Sequence, residues 1–154
     1  MISGMAEQIR PMTVTDLKQV LDAHPRFWGD RDLRAYHIAP LVHEFPHTCL
    51  VAEDPGTGDG VRGYVLGFVT PDRVGYVHLI ATRDDTRGTG LGRRLWEAFS
   101  KTAAEQGADR LRAITSVTNT GSQAFHASLG FELSVDEDYN GPGDARIVFT
   151  RALM

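Results

Sequence analysis

The residues with the clearest chemical potential form one glycine-rich segment, Arg87-Gly88-Thr89-Gly90-Leu91-Gly92. It lies between an apolar strand pattern and a long amphipathic helix pattern. Glycines allow a ligand to approach the backbone closely, and the first N–H groups of a helix are unpaired at the positive end of its dipole. The segment therefore predicts an anion site suited to a pyrophosphate. The alternative is an ordinary turn whose glycines only begin the helix.

Two better-known phosphate-binding motifs do not fit this segment. A P-loop has Lys followed by Ser or Thr after its last glycine, whereas Arg93-Arg94 follow here. The dinucleotide motif G-x-G-x-x-G belongs to a series of parallel βαβ units, and no such series precedes the segment. The segment therefore indicates a different class of anion-binding protein.

His78 is the first candidate for a catalytic base. It lies on a predicted strand, Val74–Thr82, where alternation is predicted to place His78, Ile80 and Thr82 on one face. Imidazole has an unperturbed pKa of about 6.5, which suits proton abstraction near neutral pH. The alternative is a structural histidine of the strand.

Three other features are weaker candidates for chemistry. The run His43-Glu44-Phe45-Pro46-His47 matches the zinc motif H-E-x-x-H, but its proline interrupts the helix that the motif requires, so no metal site is predicted. Asp84-Asp85 is interpreted as solvent-facing loop. The single cysteine, Cys49, excludes an internal disulfide, and its apolar neighbours indicate a buried side chain rather than a catalytic thiol.

The predicted elements that position these residues follow the order β-α-α-β-β-β-α-β-α-β-β, which indicates an α+β fold with a mixed sheet. In chain order they are a strand Glu7–Met12, a helix capped by Thr13 and Asp16 that His24-Pro25 ends, a helix from near Asp30 broken or kinked at Pro40, strands Thr48–Glu53, Val61–Val69 and Val74–Thr82, a helix from Leu91 that Gly107 ends, a strand Leu111–Val117, a helix Thr120–Leu129, and strands Glu132–Asp138 and Ala145–Ala152.

Length and composition predict one globular domain over residues 1–154. The chain has 16 Lys and Arg against 20 Asp and Glu, a net charge of −4, so nucleic acid and anionic membranes are not expected as partners. No apolar stretch is long enough to span a membrane, and Met1–Gln8 lacks a secretory pattern, so a cytoplasmic protein is expected. The last strand, Ala145–Ala152, is a candidate edge for a homodimer.

Three of these features, in this order, resemble the GNAT (general N-acetyltransferase) superfamily of acetyl-coenzyme A-dependent acyltransferases. They are the strand Tyr76–Thr82, the loop Arg87–Gly92, and the run Asn119…Ala124-Phe125-His126-Ala127-Ser128-Leu129-Gly130-Phe131. The resemblance extends over most of the chain from Thr48 onward. It implies a GNAT-like α+β fold, with a mixed, mostly antiparallel sheet, a splayed pair of central strands and about four flanking helices.

The resemblance also implies a site for acetyl-coenzyme A as cosubstrate. Amides of the loop would hold the pyrophosphate, pantetheine would lie between the motif strand and Leu111–Val117, and an amide near Ile80 would polarise the thioester carbonyl. Asn119 matches a position that contacts pantetheine; alternatively it caps the next helix. The implied coenzyme-binding residues are Leu79, Ile80, Ala81, Thr82, Arg87, Gly88, Thr89, Gly90, Leu91, Gly92, Asn119 and His126.

His126 is a departure from the family pattern, which usually has a Tyr there that gives a proton to the departing thiolate. Some antibiotic- and herbicide-acetylating branches are similar in carrying His. It could donate a proton as imidazolium, hydrogen-bond the sulfur only, or be a partly buried helix residue. His78 is at a position where arylalkylamine-acetylating members have a base. The implied catalytic residues are therefore His78 and His126.

The acceptor side implied by the resemblance contains aromatic and acidic residues, which suit a small cationic amine or are ordinary core and surface residues. The predicted function is transfer of an acetyl group to a primary amine of a small molecule by direct attack in a ternary complex. The alternatives are a peptide or protein N-acetyltransferase and a non-catalytic acyl-coenzyme A-binding module. The candidate acceptor residues are Phe27, Trp28, Tyr36, Asp138 and Tyr139.

Overall fold

Seven strands with alternating apolar residues form one sheet in the computed structural model, which describes residues 7–153. The remaining residues of the predicted domain, 1–6 and Met154, lie outside the described residues. The strands are β1 (Gln8–Pro11), β2 (Leu50–Glu53), β3 (Val61–Val69), β4 (Val74–Thr82), β5 (Arg110–Thr115), β6 (Glu132–Asp136) and β7 (Arg146–Ala152). The α-helices are α1 (Val14–Asp22), α2 (His24–Trp28), α3 (Ala39–Glu44), α4 (Leu91–Glu105) and α5 (Thr120–Ser128), with 3₁₀ turns at Arg34–Tyr36 and Asp84–Thr86.

The order of strands in the sheet is β1-β2-β3-β4-β5-β7-β6. Strands β4 and β5 are parallel, and the other neighbouring pairs of described strands are antiparallel. The parallel pair follows from α4, because a helix between two strands returns the chain to the end where the first strand began. The predicted α+β fold with a mixed, mostly antiparallel sheet is confirmed.

The two faces of the sheet are covered by different helices. Helix α4 packs on one face through Leu95 and Phe99, which lie one turn apart on the same side of the helix. The helices α1 to α3 cover the opposite face around the fully buried Tyr64 and Leu66 of β3. None of the helices in residues 7–153 is long and apolar enough to cross a membrane.

The chain between α1 and β2 differs from the prediction. Helix α1 begins at the predicted capping box, in which Asp16 N–H donates to Thr13 Oγ1 at 3.1 Å. A helix from near Asp30 does not form, so that prediction is wrong. Gly29, with φ of 64°, ends α2 instead, and Pro40 lies in the first turn of α3, where its missing N–H costs no hydrogen bond.

The edge of the sheet also differs from the prediction. Strand β7 lies between β5 and β6, so the predicted edge strand Ala145–Ala152 is internal. The edge on this side of the sheet is β6, which the sequence order alone cannot indicate because β7 returns to pair beside β5. All five residues of β6 are exposed, including Leu133 and Val135.

Candidate active site

The parallel strands β4 and β5 separate beyond their first four residues. Val74–Val77 pairs with Arg110–Ala113, and the pairing stops there although both strands continue. Leu79–Thr82 pairs with β3 on one side, and its other backbone edge faces the gap. The predicted splayed pair is therefore present, and it leaves backbone donors and acceptors available to a ligand at the centre of the sheet.

A β-bulge at His78 changes the direction of the side chains along β4. Consecutive residues of β3 pair with Val77 and Leu79, so His78 is an additional residue. Val77 and Ile80 therefore pack under α4, whereas Leu79 packs in the cluster on the opposite face. The prediction that His78, Ile80 and Thr82 share one face is wrong, because the bulge interrupts the alternation.

A cleft of about 700 Å³, here called the coenzyme cleft, lies over the gap and the N-terminus of α4. Gly88 and Gly90 line it with φ of 83° and 86°, a conformation that requires glycine. A Cβ at either position would meet no heavy atom within 4 Å, so the backbone there is open to a ligand. The lining also includes Trp28, Arg31, Ile80, Ala81, Thr82, Asn119, Ser122, Phe125 and His126.

The electrostatics of the coenzyme cleft favour an anion. The first N–H groups of helix α4 lack partners within the helix, as in any α-helix, and no side chain at its N-cap accepts from them either. Its first turn contains Arg93 and Arg94 and no acid, which is unfavourable at the positive end of a helix dipole unless an anion binds there. Arg94 pairs with Glu7 at 2.7 Å, whereas Arg93 lines the cleft. These groups fit the diphosphate of coenzyme A.

Ion pairs and carbonyl contacts hold the chain before the glycines. Asp84 accepts from Arg26 at 2.8 Å, and Asp85 accepts from Arg83 at 2.7 Å. The Arg87 guanidinium donates to the carbonyl oxygen of Phe27 at 2.9 Å, which ties the loop to α2. Asp84-Asp85 is therefore a half-exposed structural ion-pair region and not a pair of free carboxylates.

A second cleft of about 520 Å³, here called the acceptor cleft, adjoins the first. It is lined by β4, β5, the segment after α2 and the turn between β6 and β7. The two clefts meet at a junction formed by residues that line both. The residues that line both are Trp28, Arg31, Ile80, Asn119, Ser122 and His126.

His78 lies in the acceptor cleft with one ring nitrogen available. Its Nε2 is 3.2 Å from the carbonyl oxygen of Tyr36, which can only accept, so Nε2 carries the hydrogen and Nδ1 does not. The ring lies between Tyr36 and Tyr76, with centroid distances of 6.0 and 6.1 Å. Burial lowers the pKa of His78 below its ordinary value, so the imidazole is neutral near pH 7.

His126 is buried at the junction, and both of its ring nitrogens are bonded within the protein. The Trp96 indole N–H donates to Nε2 at 3.3 Å, and Nδ1 donates to the carbonyl oxygen of Ser122 at 2.8 Å. The ring stacks on Phe149 with centroids 4.1 Å apart. Burial lowers the pKa of His126, and because indole can only donate, the arrangement selects the neutral imidazole.

Asn119 is the N-cap of α5. Its Oδ1 accepts from the N–H of Ser122 at 3.2 Å, and its Nδ2 donates to Thr115 Oγ1 at 3.0 Å. The capping role, one of the two predicted for this residue, is therefore present. Its amide group also lines both clefts.

A comparison with models of protein families shows to which family the chain belongs. The model of the acetyltransferase (GNAT) family matches residues 15–131, which is most of the sequence. The chain belongs to the GNAT family. This confirms the resemblance that was based on the strand Tyr76–Thr82, the loop Arg87–Gly92 and the run from Asn119 to Phe131. The acyl donor of the family is acetyl-coenzyme A, as predicted.

Two curated relatives of this GNAT protein are L-methionine sulfoximine/L-methionine sulfone acetyltransferases, from Pseudomonas paraeruginosa and Pseudomonas aeruginosa. Each is 40% identical over 57 residues, which is 37% of this chain and 33% of the relative. The match thus spans about a third of the length of these relatives.

Solved structures show the same fold at low sequence identity. Ard1 from Thermoplasma volcanium has a TM-score of 0.77 at 20% identity, covering 97% of this chain and 99% of that one. The ribosomal-protein-S18-alanine N-acetyltransferase from Escherichia coli has a TM-score of 0.71 at 18% identity, covering 96% and 94%. Nourseothricin acetyltransferase has a TM-score of 0.61 at 23% identity, covering 69% and 65%.

The five predicted acceptor residues do not all lie in the acceptor cleft of this GNAT fold. Trp28, Tyr36 and Tyr139 line it. Phe27 is 4% exposed, belongs to the core cluster, and borders the coenzyme cleft instead. The Asp138 carboxylate accepts from the N–H of Gly143 at 2.9 Å and so stabilises the turn between β6 and β7. The prediction of an acceptor contact is therefore not supported for Phe27 and Asp138.

A buried hydrogen-bond chain, which the sequence patterns do not reveal, fixes Trp28 at the junction. The Trp28 indole N–H donates to the Tyr64 hydroxyl at 2.7 Å, and that hydroxyl contacts His37 Nε2 at 2.6 Å. His37 Nδ1 lies 2.7 Å from the carbonyl oxygen of Leu33 and donates to it, so the Tyr64 hydroxyl donates to Nε2. Tyr64 comes from β3, far in sequence from Trp28 and His37, so only the folded structure brings the three side chains together.

Replacing Tyr64 by Phe is expected to destabilise the fold by about 2–4 kcal/mol. The substitution leaves the Trp28 N–H without its acceptor and His37 Nε2 without its donor, and each such buried group costs about 1–3 kcal/mol. Denaturant unfolding measures the change. Tyr36→Phe is the matched control, because Tyr36 is 48% exposed and its loss of a hydroxyl should change stability by less than about 0.5 kcal/mol. Equal stability of the two variants would contradict the role of the chain.

Proposed function

We propose that this GNAT protein transfers an acetyl group from acetyl-coenzyme A to a primary amine of a small molecule, by direct attack in a ternary complex. The observation that supports the proposal best is the junction of two clefts at Ile80, Asn119, Ser122 and His126. One cleft offers amides and cations to a diphosphate, and the other offers a neutral histidine. Both substrates can therefore be held at once.

The residues proposed to hold acetyl-coenzyme A are those of the loop and the free edge of β4. The loop amides and Arg93 would hold the diphosphate, and the backbone of β4 opposite the gap would pair with pantetheine and polarise the thioester carbonyl. Bound there, acetyl-coenzyme A would supply an activated acetyl group: a C–N bond forms, the amine proton passes to His78, the C–S bond breaks, and coenzyme A leaves as a thiolate that takes up a proton from solvent. The proposed set is Leu79, Ile80, Ala81, Thr82, Arg87, Gly88, Thr89, Gly90, Leu91, Gly92, Arg93 and Asn119.

His78 is the proposed general base. Nδ1 is the nitrogen that accepts the proton of the attacking amine, because Nε2 is engaged with the carbonyl of Tyr36. The bulge supports this role, since it directs His78 toward Tyr36 and Tyr76 in the acceptor cleft while Ile80 packs on the other face. His78 lines only the acceptor cleft, and Ile80, two residues later, lines both clefts.

His126 is proposed to act as a positioning residue rather than as a proton donor. Protonation at Nε2 would break the bond from Trp96, and Nδ1 already donates to Ser122. The neutral ring, in the last turn of α5, instead holds that helix against Trp96 of α4 and against Phe149. Its bond to the Ser122 carbonyl links this turn to the first turn, where Asn119 and Ser122 lie at the junction. The predicted role as imidazolium acid is thus the weaker of the alternatives for this residue.

The acceptor proposed here is small because the acceptor cleft is bounded on several sides and holds about 520 Å³. The small-molecule activity in the names of the two Pseudomonas relatives supports this choice. Among structures of similar fold, one is an alanine N-acetyltransferase of a ribosomal protein, so a peptide acceptor is the second candidate. A cytoplasmic location and a homodimer stay as predictions that fractionation and light scattering can test.

The test of the proposed function is acetyl-coenzyme A-dependent release of free thiol with a panel of small amines and peptides. Calorimetry first measures binding of acetyl-coenzyme A alone, for which saturable heat is expected. Thiol release with at least one small amine, and with no peptide, is the expected result. Binding with no release on any amine would favour a non-catalytic binding module, and release with peptides only would favour a protein N-acetyltransferase.

A further inference from the structure

The charge of the acceptor cleft is opposite to the one that the sequence suggested. The acids of the turn between β6 and β7 do not line it: Asp138 stabilises that turn, and Asp144 pairs with Arg146 at 2.7 Å. Asp32, which does line it, pairs with Arg34 at 3.1 Å. Two guanidinium groups, of Arg31 and Arg146, line the cleft, whereas Asp32 is the one carboxylate among the lining residues. The cleft therefore offers more positive than negative charge to an acceptor.

Arg31 is the cation whose charge is not balanced by a neighbour. It is half-buried and follows α2, at the junction of the two clefts. Within residues 7–153 its guanidinium has no ion pair or hydrogen bond; its sequence neighbour Asp32 bonds to Arg34, and only its backbone N–H is engaged, with the carbonyl of Trp28. A half-buried guanidinium with five donors and no acceptor gains most from a ligand oxyanion.

We propose that Arg31 binds a carboxylate of the acceptor, so that the acceptor is a small amine that carries a carboxylate, such as an α-amino acid. The inference rests on the proposed function and specifies its substrate class. A guanidinium holds a carboxylate through two parallel N–H···O bonds, which orients the molecule as well as binding it. The α-amine, one carbon from the carboxylate, is then held near the junction and can present its lone pair to the acyl group.

The competing use of Arg31 is a contact with a phosphate of the coenzyme, because Arg31 lines both clefts. The coenzyme cleft has its own anion-binding groups in the glycine loop, the N-terminus of α4 and Arg93. In the acceptor cleft the other guanidinium, Arg146, is already paired with Asp144. Arg31 is therefore the guanidinium of the acceptor cleft that has no ion pair within the described residues and can bind an anionic group of the acceptor.

The experiment compares kcat/KM for a panel of L-amino acids, each paired with its carboxamide, which keeps the amine and the side chain but lacks the negative charge. For any pair that the wild-type protein accepts, the acid should be preferred by about 10–100-fold, the effect of one charged hydrogen-bonded contact. In Arg31→Gln the preference should fall to within about twofold, with affinity for acetyl-coenzyme A unchanged by calorimetry.

Arg93→Gln is the matched control, since Arg93 lines only the coenzyme cleft; it should raise the KM for acetyl-coenzyme A and keep the preference for the acid. The inference is overturned if carboxamides or simple amines are the better substrates of the wild-type protein, or if Arg31→Gln weakens coenzyme binding and keeps the preference. Those results leave the acetyltransferase function intact. Absence of thiol release with every amine and peptide would instead overturn the proposed function itself.

Discussion

Replacing Gly90 by Val is expected to weaken acetyl-coenzyme A binding by at least about 100-fold, the effect of losing two charged hydrogen bonds. Gly90 has φ of 86°, which a β-branched residue rarely adopts, so the loop and the first turn of α4 must move. The N–H groups at the helix N-terminus then no longer converge on one anion. The added side chain also projects into the cleft, where a Cβ meets no protein atom within 4 Å. Calorimetry with acetyl-coenzyme A measures the loss.

Gly107→Val is the control for backbone strain in this experiment. Gly107 has φ of 93°, a Cβ there also meets no atom within 4 Å, and the residue follows the other end of α4, outside both clefts. Both variants should lose stability by about 1–2 kcal/mol, the cost of a left-handed conformation. Only Gly90→Val should lose the coenzyme. Equal affinities of Gly90→Val and wild type would remove the glycine loop from the proposed site.

The glycine loop could be predicted from the sequence because the residues that specify its structure are consecutive. Six consecutive residues specify both the turn and the helix start, and the apolar residues of the helix that follows have a clear period of 3.6 residues. The same holds for the Thr13–Asp16 capping box, whose two hydrogen bonds join residues three apart. Features of this kind need no knowledge of distant parts of the chain.

The faces of β4 were not predictable because a bulge is a property of two strands. Counting by two along Val74–Thr82 is correct up to Val77, but β3 has one residue fewer in the matching stretch. The residues after His78 therefore lie on the faces of the sheet opposite to those that simple alternation predicts. A one-residue irregularity of this kind moves Ile80 away from the face of His78, and nothing in the composition of either strand signals it.

The charge of the acceptor cleft was also not predictable from composition. Asp136, Glu137, Asp138 and Asp144 lie close in sequence, and their number suggested an acidic surface. In the structure Asp138 does not line the cleft and Asp144 pairs with Arg146, so among the described lining residues the charge without an ion pair is that of Arg31, from a different segment. Which charges stay unbalanced depends on pairing in three dimensions, and the same is true of the Trp28–Tyr64–His37 chain.

Replacing His78 by Ala is expected to lower kcat by about 10²–10³, because a positioned general base contributes roughly that much to proton transfer. The affinity for acetyl-coenzyme A should stay within about twofold, since His78 lines the acceptor cleft and not the coenzyme cleft. Steady-state kinetics with an accepted amine and calorimetry with acetyl-coenzyme A separate the two effects. His43→Ala, an exposed histidine of α3 outside both clefts, is the matched control and should behave as wild type.

The pH dependence gives an independent test of the same residue. A base must be unprotonated to act, so kcat should fall as the pH drops through the pKa of His78. Burial lowers that pKa, which places the acid limb of the wild-type profile below the ordinary histidine value of about 6.5. The limb should be absent in His78→Ala and unchanged in His43→Ala. If the limb persists in His78→Ala, another group takes the proton, and the bulge then directs His78 to the acceptor cleft for binding alone.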